Sequence, residues 1–243
     1  MSYILIVGAK SDIAKEIAKV YAKNGYNLYL GARDVKELTE FAQDIITKTQ
    51  NNIELLELDI LDYKSHQLFY NNLKEKPIGI ISAVGYLGNQ KEAQSNFDEA
   101  QKIIDTNYTG VMSLFNIVAN DFENRKSGFI IGISSVAGER GRGTNYIYGS
   151  AKAGFTAYLS GLRNRLCNSK VDVLTVIPGF VNTQMTKNMN LPKILTAQPK
   201  DVALDIYKAQ QKRKDTIYTK SIWRWIMLII RNIPEFKFKE MKL

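Results

Sequence analysis

Short, largely apolar runs alternate with longer stretches of helical spacing through most of the chain. Tyr3 to Val7, Asn27 to Gly31, Ile53 to Leu58, Ile78 to Ala83, Phe129 to Ile133 and Val171 to Ile177 carry β-branched and aromatic side chains and predict six strands. Runs apolar on both faces and joined through helices predict a parallel sheet covered on both sides, a doubly wound Rossmann-type α/β fold. The first helix is expected over about 12–24, with Ile13, Ile17, Val20 and Tyr21 on one face, Lys15, Lys19 and Lys23 on another, and Gly25 as its stop. No repeat or low-complexity linker interrupts this order. With 243 residues the chain predicts one domain over residues 1–220, with residues 221–243 as an amphipathic extension of it.

Charge changes the picture only at the C-terminal end. Of a net +9, residues 1–207 contribute +2 and residues 208–243 contribute +7, from ten basic and three acidic side chains. That excess coincides with the most aromatic and apolar stretch of the chain, a pairing that suits a membrane surface better than a nucleic acid. The uninterrupted apolar run Trp225 to Ile230 is six residues, far short of the roughly 20 needed to span a bilayer. A helix over 221–232, with Phe236 and Phe238 interleaved with Lys237 and Lys239 beyond it, would lie in the interface. The competing expectation is a terminal helix that closes a pocket or a subunit contact. One cysteine, Cys167, excludes an internal disulfide, and no Cys/His spacing suggests a metal, so a cytoplasmic protein, at the inner face of the membrane if the tail binds it, is expected. Cys167 is expected to pack at a helix end.

Gly8 follows the first strand directly, and Ser11-Asp12-Ile13 opens the first helix, where a dinucleotide pyrophosphate would meet backbone N–H groups and a positive helix end. Asp12 and Ala14 stand where a three-glycine fingerprint would place its second and third glycines, so the turn alone also fits an ordinary capped helix start. The second strand runs into Ala32-Arg33-Asp34. A guanidinium there suits a ribose 2′-phosphate, as an acidic residue would suit a free 2′-hydroxyl, so NADP(H) is expected over NAD(H), with Lys10 as a second positive charge. Asp59 and Ile60 at the end of the third strand are expected beside the adenine, and Ala83 and Gly85 after the fourth strand close to the cofactor.

Tyr148 and Lys152 lie four residues apart, on one face at the start of a helix, and Ser135 precedes them by thirteen residues, just after the fifth strand. A free phenol titrates near ~10, and moving it about three units toward neutrality takes about 4 kcal/mol of phenolate stabilisation, which an adjacent ammonium, helped by the oxidised nicotinamide, is expected to supply. Tyr148 then exchanges a proton with a substrate oxygen that Ser135 holds. His66, the single histidine, falls in a polar helical stretch and is expected at the surface, away from any nucleophile; this excludes a Ser-His-Asp hydrolase.

With these residues in this order, the chain resembles the short-chain dehydrogenase/reductase family over nearly its whole length. The resemblance implies Tyr148, Lys152 and Ser135 as catalytic residues and Asn107, in Asn107-Tyr108-Thr109-Gly110, as the helix asparagine that positions a proton-relay water. It also implies Pro178, Gly179, Val181 and Thr183 as the turn contacting the nicotinamide carboxamide, and a homo-oligomer, dimer or tetramer. Departures are the two missing glycines and Ser82-Ala83-Val84-Gly85 in place of Asn-Asn-Ala-Gly, which bear on the pyrophosphate turn and leave the catalytic residues intact.

Ser134-Ser135-Val136-Ala137-Gly138-Glu139-Arg140, with Arg142, Asn145 and the tail Trp225 to Pro234, is similar to the decaprenylphosphoryl keto-pentose reductase group. That similarity implies a keto-sugar substrate carried on a polyprenyl phosphate in cell-surface glycan biosynthesis. Arg140 and Arg142 would bind the substrate phosphate, or form a solvated loop. Rival readings are a reductase of another lipophilic ketone, of the ketoacyl thioester or ketosphingoid type, and a non-catalytic NADP-binding partner subunit.

Overall fold

The computed structural model describes residues 2–241. From the amino end run β1 (Tyr3–Val7), α1 (Asp12–Lys23), β2 (Asn27–Ala32), α2 (Thr39–Thr49), β3 (Ile53–Glu57), α3 (His66–Asn71) and β4 (Gly79–Ser82). The second half holds α4 (Gln90–Ala93), α5 (Phe97–Ile104), α6 (Gly110–Arg125), β5 (Gly128–Ile133), α7 (Tyr146–Leu166) and β6 (Val171–Pro178). It ends with β7 (Phe180–Val181), β8 (Thr196–Ala197), α8 (Pro199–Gln211), β9 (Thr216–Thr219), α9 (Ile222–Asn232) and α10 (Glu235–Phe238).

Seven strands form one parallel sheet in the order β3-β2-β1-β4-β5-β6-β9, and β7 pairs with β8 as a separate short ladder. Strand alternation sorts the core onto two faces. Ile4 and Ile6 of β1 pack with α1 and α8, whereas Tyr3, Leu5 and Val7 pack with α6 and α7. Each fully buried Ile or Leu contributes about 1.5–3 kcal/mol relative to exposure, so both helical layers are held by the same strands. The strand order reverses between β1 and β4, and the crevice at that switch point, outside the carboxyl ends of the strands, is where such a sheet receives ligands.

The expected strands are all present, with ends moved by a residue at most; a seventh, β9, joins the sheet, and β7 and β8 form their own short ladder. β9 was not expected because its four residues, Thr-Ile-Tyr-Thr, hold two apolar side chains and follow a run of charges; it forms by pairing with β6 as an edge strand. Two single residues correct the sequence reading. His66 is fully buried, its Nδ1 3.0 Å from the Ser113 hydroxyl and its Nε2 3.4 Å from the Asp59 carbonyl, and burial pushes its pKa down. Cys167 is exposed, because the chain leaves α7 there in a single 3-10 turn.

The tail is not a separate appendage. Trp223 and Met227 of α9 are buried against Val136 and Ile177, and Trp223 meets Phe180 edge-on with ring centroids 5.2 Å apart. A Cβ on Gly179 would lie 1.9 Å from the Trp223 indole, so the Pro178-Gly179 turn accepts the ring only as glycine. Lys242 and Leu243, the last residues of the expected extension, lie outside the described residues.

Candidate active site

Two adjoining hollows, of about 300 Å³ and 420 Å³, share Lys10, Ser11, Ala83, Val84 and Gly85 and form one cleft over the switch point. Gly8, Arg33, Asp59 and Ile60 line the second hollow; Ser135, Tyr148 and Lys152 line the first with Asp12, Ile13, Pro178, Gly179, Val181 and Thr183. The structure therefore gathers every residue expected at the cofactor into one cleft.

Local chemistry explains the walls. Gly8 adopts φ +74°, and a Cβ there would stand 2.8 Å from the Val84 amide nitrogen, so only glycine lets the β1 turn approach the end of β4. Ser11 caps α1 by accepting from the Ala14 amide at 3.1 Å, and the positive end of the helix opens into the cleft. Asp12, at the first absent glycine, accepts from the Gln184 amide at 2.8 Å and joins two walls of the cleft. These features fit a dinucleotide: a cradle that a Cβ would fill, leading to a helix start with free N–H groups. At the other end the Glu57 carboxylate accepts from the Asp34 and Val35 amides at 2.8 and 3.1 Å and fixes Asp34 in the left-handed region at φ +49°. Arg33 beside it forms no ion pair among the described residues. Lys10 lines both hollows, and its ammonium is 2.7 Å from the exposed Glu37 carboxylate. The Asp59 carboxylate accepts from the Leu61 amide at 2.9 Å, and buried His66 holds the same turn through the Asp59 carbonyl.

Ser135 and Tyr148 are brought together by the connection from β5 to α7. The Ser134 hydroxyl donates to the Lys152 carbonyl at 3.0 Å and lies 2.6 Å from the Thr156 hydroxyl, clamping the strand end to the helix. A Cβ on Gly149 would lie 2.8 Å from the Ala137 carbonyl, and one on Gly138 2.7 Å from the Ala153 amide nitrogen, so two glycines permit this approach. Tyr148 and Ser135 line the same hollow, and the Ser135 hydroxyl acts to lower the Tyr148 pKa. Lys152, nearly fully buried, donates to the Ile133 carbonyl at 3.1 Å, and its Nζ lies 5.8 Å from the Tyr148 ring centroid.

Burial acts on Tyr148 against the lowering expected from Lys152 and the oxidised nicotinamide. Burial pushes its pKa up to about 12, with Ser135 acting in the opposite direction. Burial also pulls Lys152 down to about 7. Both charged forms are disfavoured for the same reason, loss of hydration, and the lysine does not offset it for the phenol.

Asn107 is fully buried within a π-helical turn at 105–109, leading into α6. Its amide donates to the carbonyls of Tyr86 at 2.6 Å and Ile103 at 2.8 Å and accepts from the Tyr86 amide at 3.2 Å. The side chain is thus committed to the segment behind Gly85, and the implied water contact cannot rest on its NH2 group. Single π-turns of this kind are frequent at functional sites.

The two arginines separate. Arg142 lines the cavity with Tyr148, whereas Arg140 pairs with Glu235 at 2.6 Å, donates to the carbonyls of Arg231 and Ile233, and covers the ring of buried Phe238 at 4.1 Å. This corrects both the substrate role expected of Arg140 and the lipid-facing role expected of Phe238. Met185, Met189, Leu87 and Phe180 also line the cavity. Sequence reasoning missed them, since scattered apolar residues in a loop carry no periodic signal.

A family model described as short chain dehydrogenase matches residues 2–193. Across 98% of this chain and 96% of the other, 32% of residues are identical to an uncharacterized oxidoreductase of Mycobacterium tuberculosis. An NADP-dependent 3-hydroxy acid dehydrogenase of Schizosaccharomyces pombe is 32% identical over 75% of this chain and 73% of its own length. Among solved structures, a short-chain dehydrogenase from Sphingobium yanoikuyae in complex with NADPH superposes with a TM-score of 0.82, at 21% identity and 97% coverage of each chain.

Proposed function

The chain belongs to the short-chain dehydrogenase family and is an NAD(P)-dependent oxidoreductase, and from that premise we propose that it uses NADPH to reduce the keto group of a sugar carried on a polyprenyl phosphate. The observation that carries the reductive reading is the single cleft that runs from Arg33 past Gly8 to Tyr148 and Ser135. Arg33, which forms no ion pair among the described residues, supports NADPH at the adenosine end, as do the names of the fission-yeast relative and of the Sphingobium complex. Residues 10–13 would hold the pyrophosphate, and Pro178, Gly179, Val181 and Thr183 the nicotinamide end.

When bound, the nicotinamide supplies a hydride to the carbonyl carbon. Ser135 donates to the carbonyl oxygen and orients it toward Tyr148, which delivers a proton as negative charge develops on that oxygen. A phenol with a pKa near 12 remains protonated throughout the physiological range, as a proton donor requires. Lys152, poised near neutrality beneath it, stabilises the phenolate left behind when it carries its proton. The apolar lining of Val84, Phe180, Met185 and Met189 excludes water from this exchange.

The lipid carrier is supported by the outward face of α9 and α10. Trp225, Ile229 and Phe236 are 64%, 68% and 64% exposed, with Ile222 and Leu228 beside them. Next to this face Lys214, Arg224 and Arg231 line a groove with Trp225 and Leu228, a combination that suits the anionic surface of a membrane holding the substrate. Among the described residues no helix is long and apolar enough to cross a membrane.

The test of substrate class is NADPH oxidation with a polyprenyl-phosphoryl keto-pentose in vesicles beside a ketoacyl thioester. Turnover of the sugar lipid alone supports the proposal. Turnover of the thioester alone keeps the reductase and overturns the carrier and the sugar, and turnover of neither favours a nucleotide-binding subunit.

A further inference from the structure

We propose that the substrate end of the cavity contains an oxyanion subsite built on Arg142, with Asn145 beside it to accept a hydroxyl, so that the natural substrate is a hydroxylated ketone carrying a phosphate or carboxylate. The inference rests on the reductase reading above and narrows its substrate.

Arg142 lines the same cavity as Ser135, Tyr148 and Asn145. Its Nε is buried without a hydrogen-bond partner, and the contact that its guanidinium makes is from Nη2 to the Met227 sulfur at 3.8 Å. Among the described residues no carboxylate lies within ion-pair distance of it. Of the neighbouring charges, Glu139 accepts from Tyr218 at 2.6 Å and pairs with Arg231 through Oε1, its Oε2 being buried without a partner, and Arg140 pairs with Glu235. Burial lowers the pKa of Arg142, the sign of a guanidinium that lost water and gained no counter-charge. A half-buried cation with no partner destabilises a fold, so its place is explained when the missing anion arrives with a ligand. A planar guanidinium matches a phosphate or carboxylate with two parallel N–H donors.

Asn145 supplies the second, independent observation. Its Oδ1 is buried, unpartnered and in the cavity wall just before α7, where it is an acceptor for a substrate hydroxyl. The ribose phosphate of the cofactor does not account for this pair, because Arg33, the residue suited to it, lines the second hollow, whereas Arg142 and Asn145 line the first. An apolar ketone such as a long-chain ketoacyl group would leave both groups unpaired.

The experiment compares dihydroxyacetone with dihydroxyacetone phosphate, using protein saturated with NADPH, for wild type, Arg142→Leu and Arg142→Lys. Wild type is expected to prefer the phosphate by roughly 10- to 100-fold in kcat/KM, mostly through KM. The preference should collapse toward unity in Arg142→Leu and be partly kept in Arg142→Lys. Equal kcat/KM for the two ketones in wild type, or a preference retained by Arg142→Leu, overturns the subsite. Thermal shift of the same NADPH-saturated proteins with inorganic phosphate separates this from failure of the reductase reading. Phosphate should raise the melting midpoint of wild type and not of Arg142→Leu, and an equal response overturns the subsite whether or not either ketone turns over.

Discussion

Lys152 is the residue on which pH acts. Its ammonium lies under the Tyr148 ring and has lost nearly all hydration, which brings its pKa to about 7 while Tyr148 stays near 12. In the reductive direction the phenol must be protonated, a form that its burial favours; the charge that supports its phenolate is the one that titrates. The lysine is charged below its folded pKa and neutral above it, so reductive kcat/KM should level off below about pH 7 and fall as pH rises beyond it. Lys152→Met should flatten the profile and lower the rate by roughly 10²- to 10⁴-fold. A wild-type profile that stays level from pH 6 to pH 9 would remove the lysine from this role. That Tyr148, Lys152 and Ser135 would line one hollow was legible in the sequence because they lie at short spacings around one strand end. The direction of the Tyr148 shift was not legible, since it depends on burial, and a sequence records that an ammonium is near but not how dry the site is. His66 was misplaced for a related reason: hydrogen bonds to Ser113 and the Asp59 carbonyl satisfy it inside a stretch that looks polar.

At the level of elements, α9 gives the pocket its backing. Trp223 stacks into the space that Gly179 leaves, donates through Nε1 to the Leu195 carbonyl at 3.0 Å, and holds the turn that carries Pro178 and Val181. Trp223→Ala should cost about 3–5 kcal/mol of stability, read from denaturant unfolding, and should weaken NADPH binding in protein that remains folded. An unchanged midpoint would show that the helix is peripheral. The helix itself was visible from its apolar spacing, but the spacing left a membrane-facing and an inward-packing helix both open, because Trp223 and Met227 face in while Trp225 and Ile229 face out, and both faces are apolar. Strand β9 was hidden by its shortness; it exists through pairing with β6. The glycine turn read ambiguously for the opposite reason. One glycine, Gly8, carries the close approach to β4, and Asp12 replaces the next with a bond to Gln184 that links residues 172 positions apart.

Across the whole molecule, the fold separates two surfaces that the sequence left superposed in one tail. The inner face of α9 completes the domain, so truncation at residue 221 would uncover Val136 and Ile177, and point changes on the outer face are the cleaner probe. Replacing Trp225 and Ile229 by serine should reduce co-sedimentation with phosphatidylglycerol vesicles at least tenfold without lowering the melting midpoint, since both side chains point to solvent. Raising salt should weaken wild-type binding, because each basic residue near an anionic surface contributes about 1 kcal/mol. Equal sedimentation of wild type and variant would assign the outer face to another purpose. All of this depends on the cleft being catalytic. The most direct measurement is NADPH oxidation in the presence of a keto-sugar by wild type and by Tyr148→Phe, with cofactor binding followed separately by fluorescence. Wild-type turnover that falls by at least about 10²-fold in the variant, with NADPH affinity unchanged, is the predicted result. Equal turnover by both proteins would contradict the assignment of Tyr148 as proton donor.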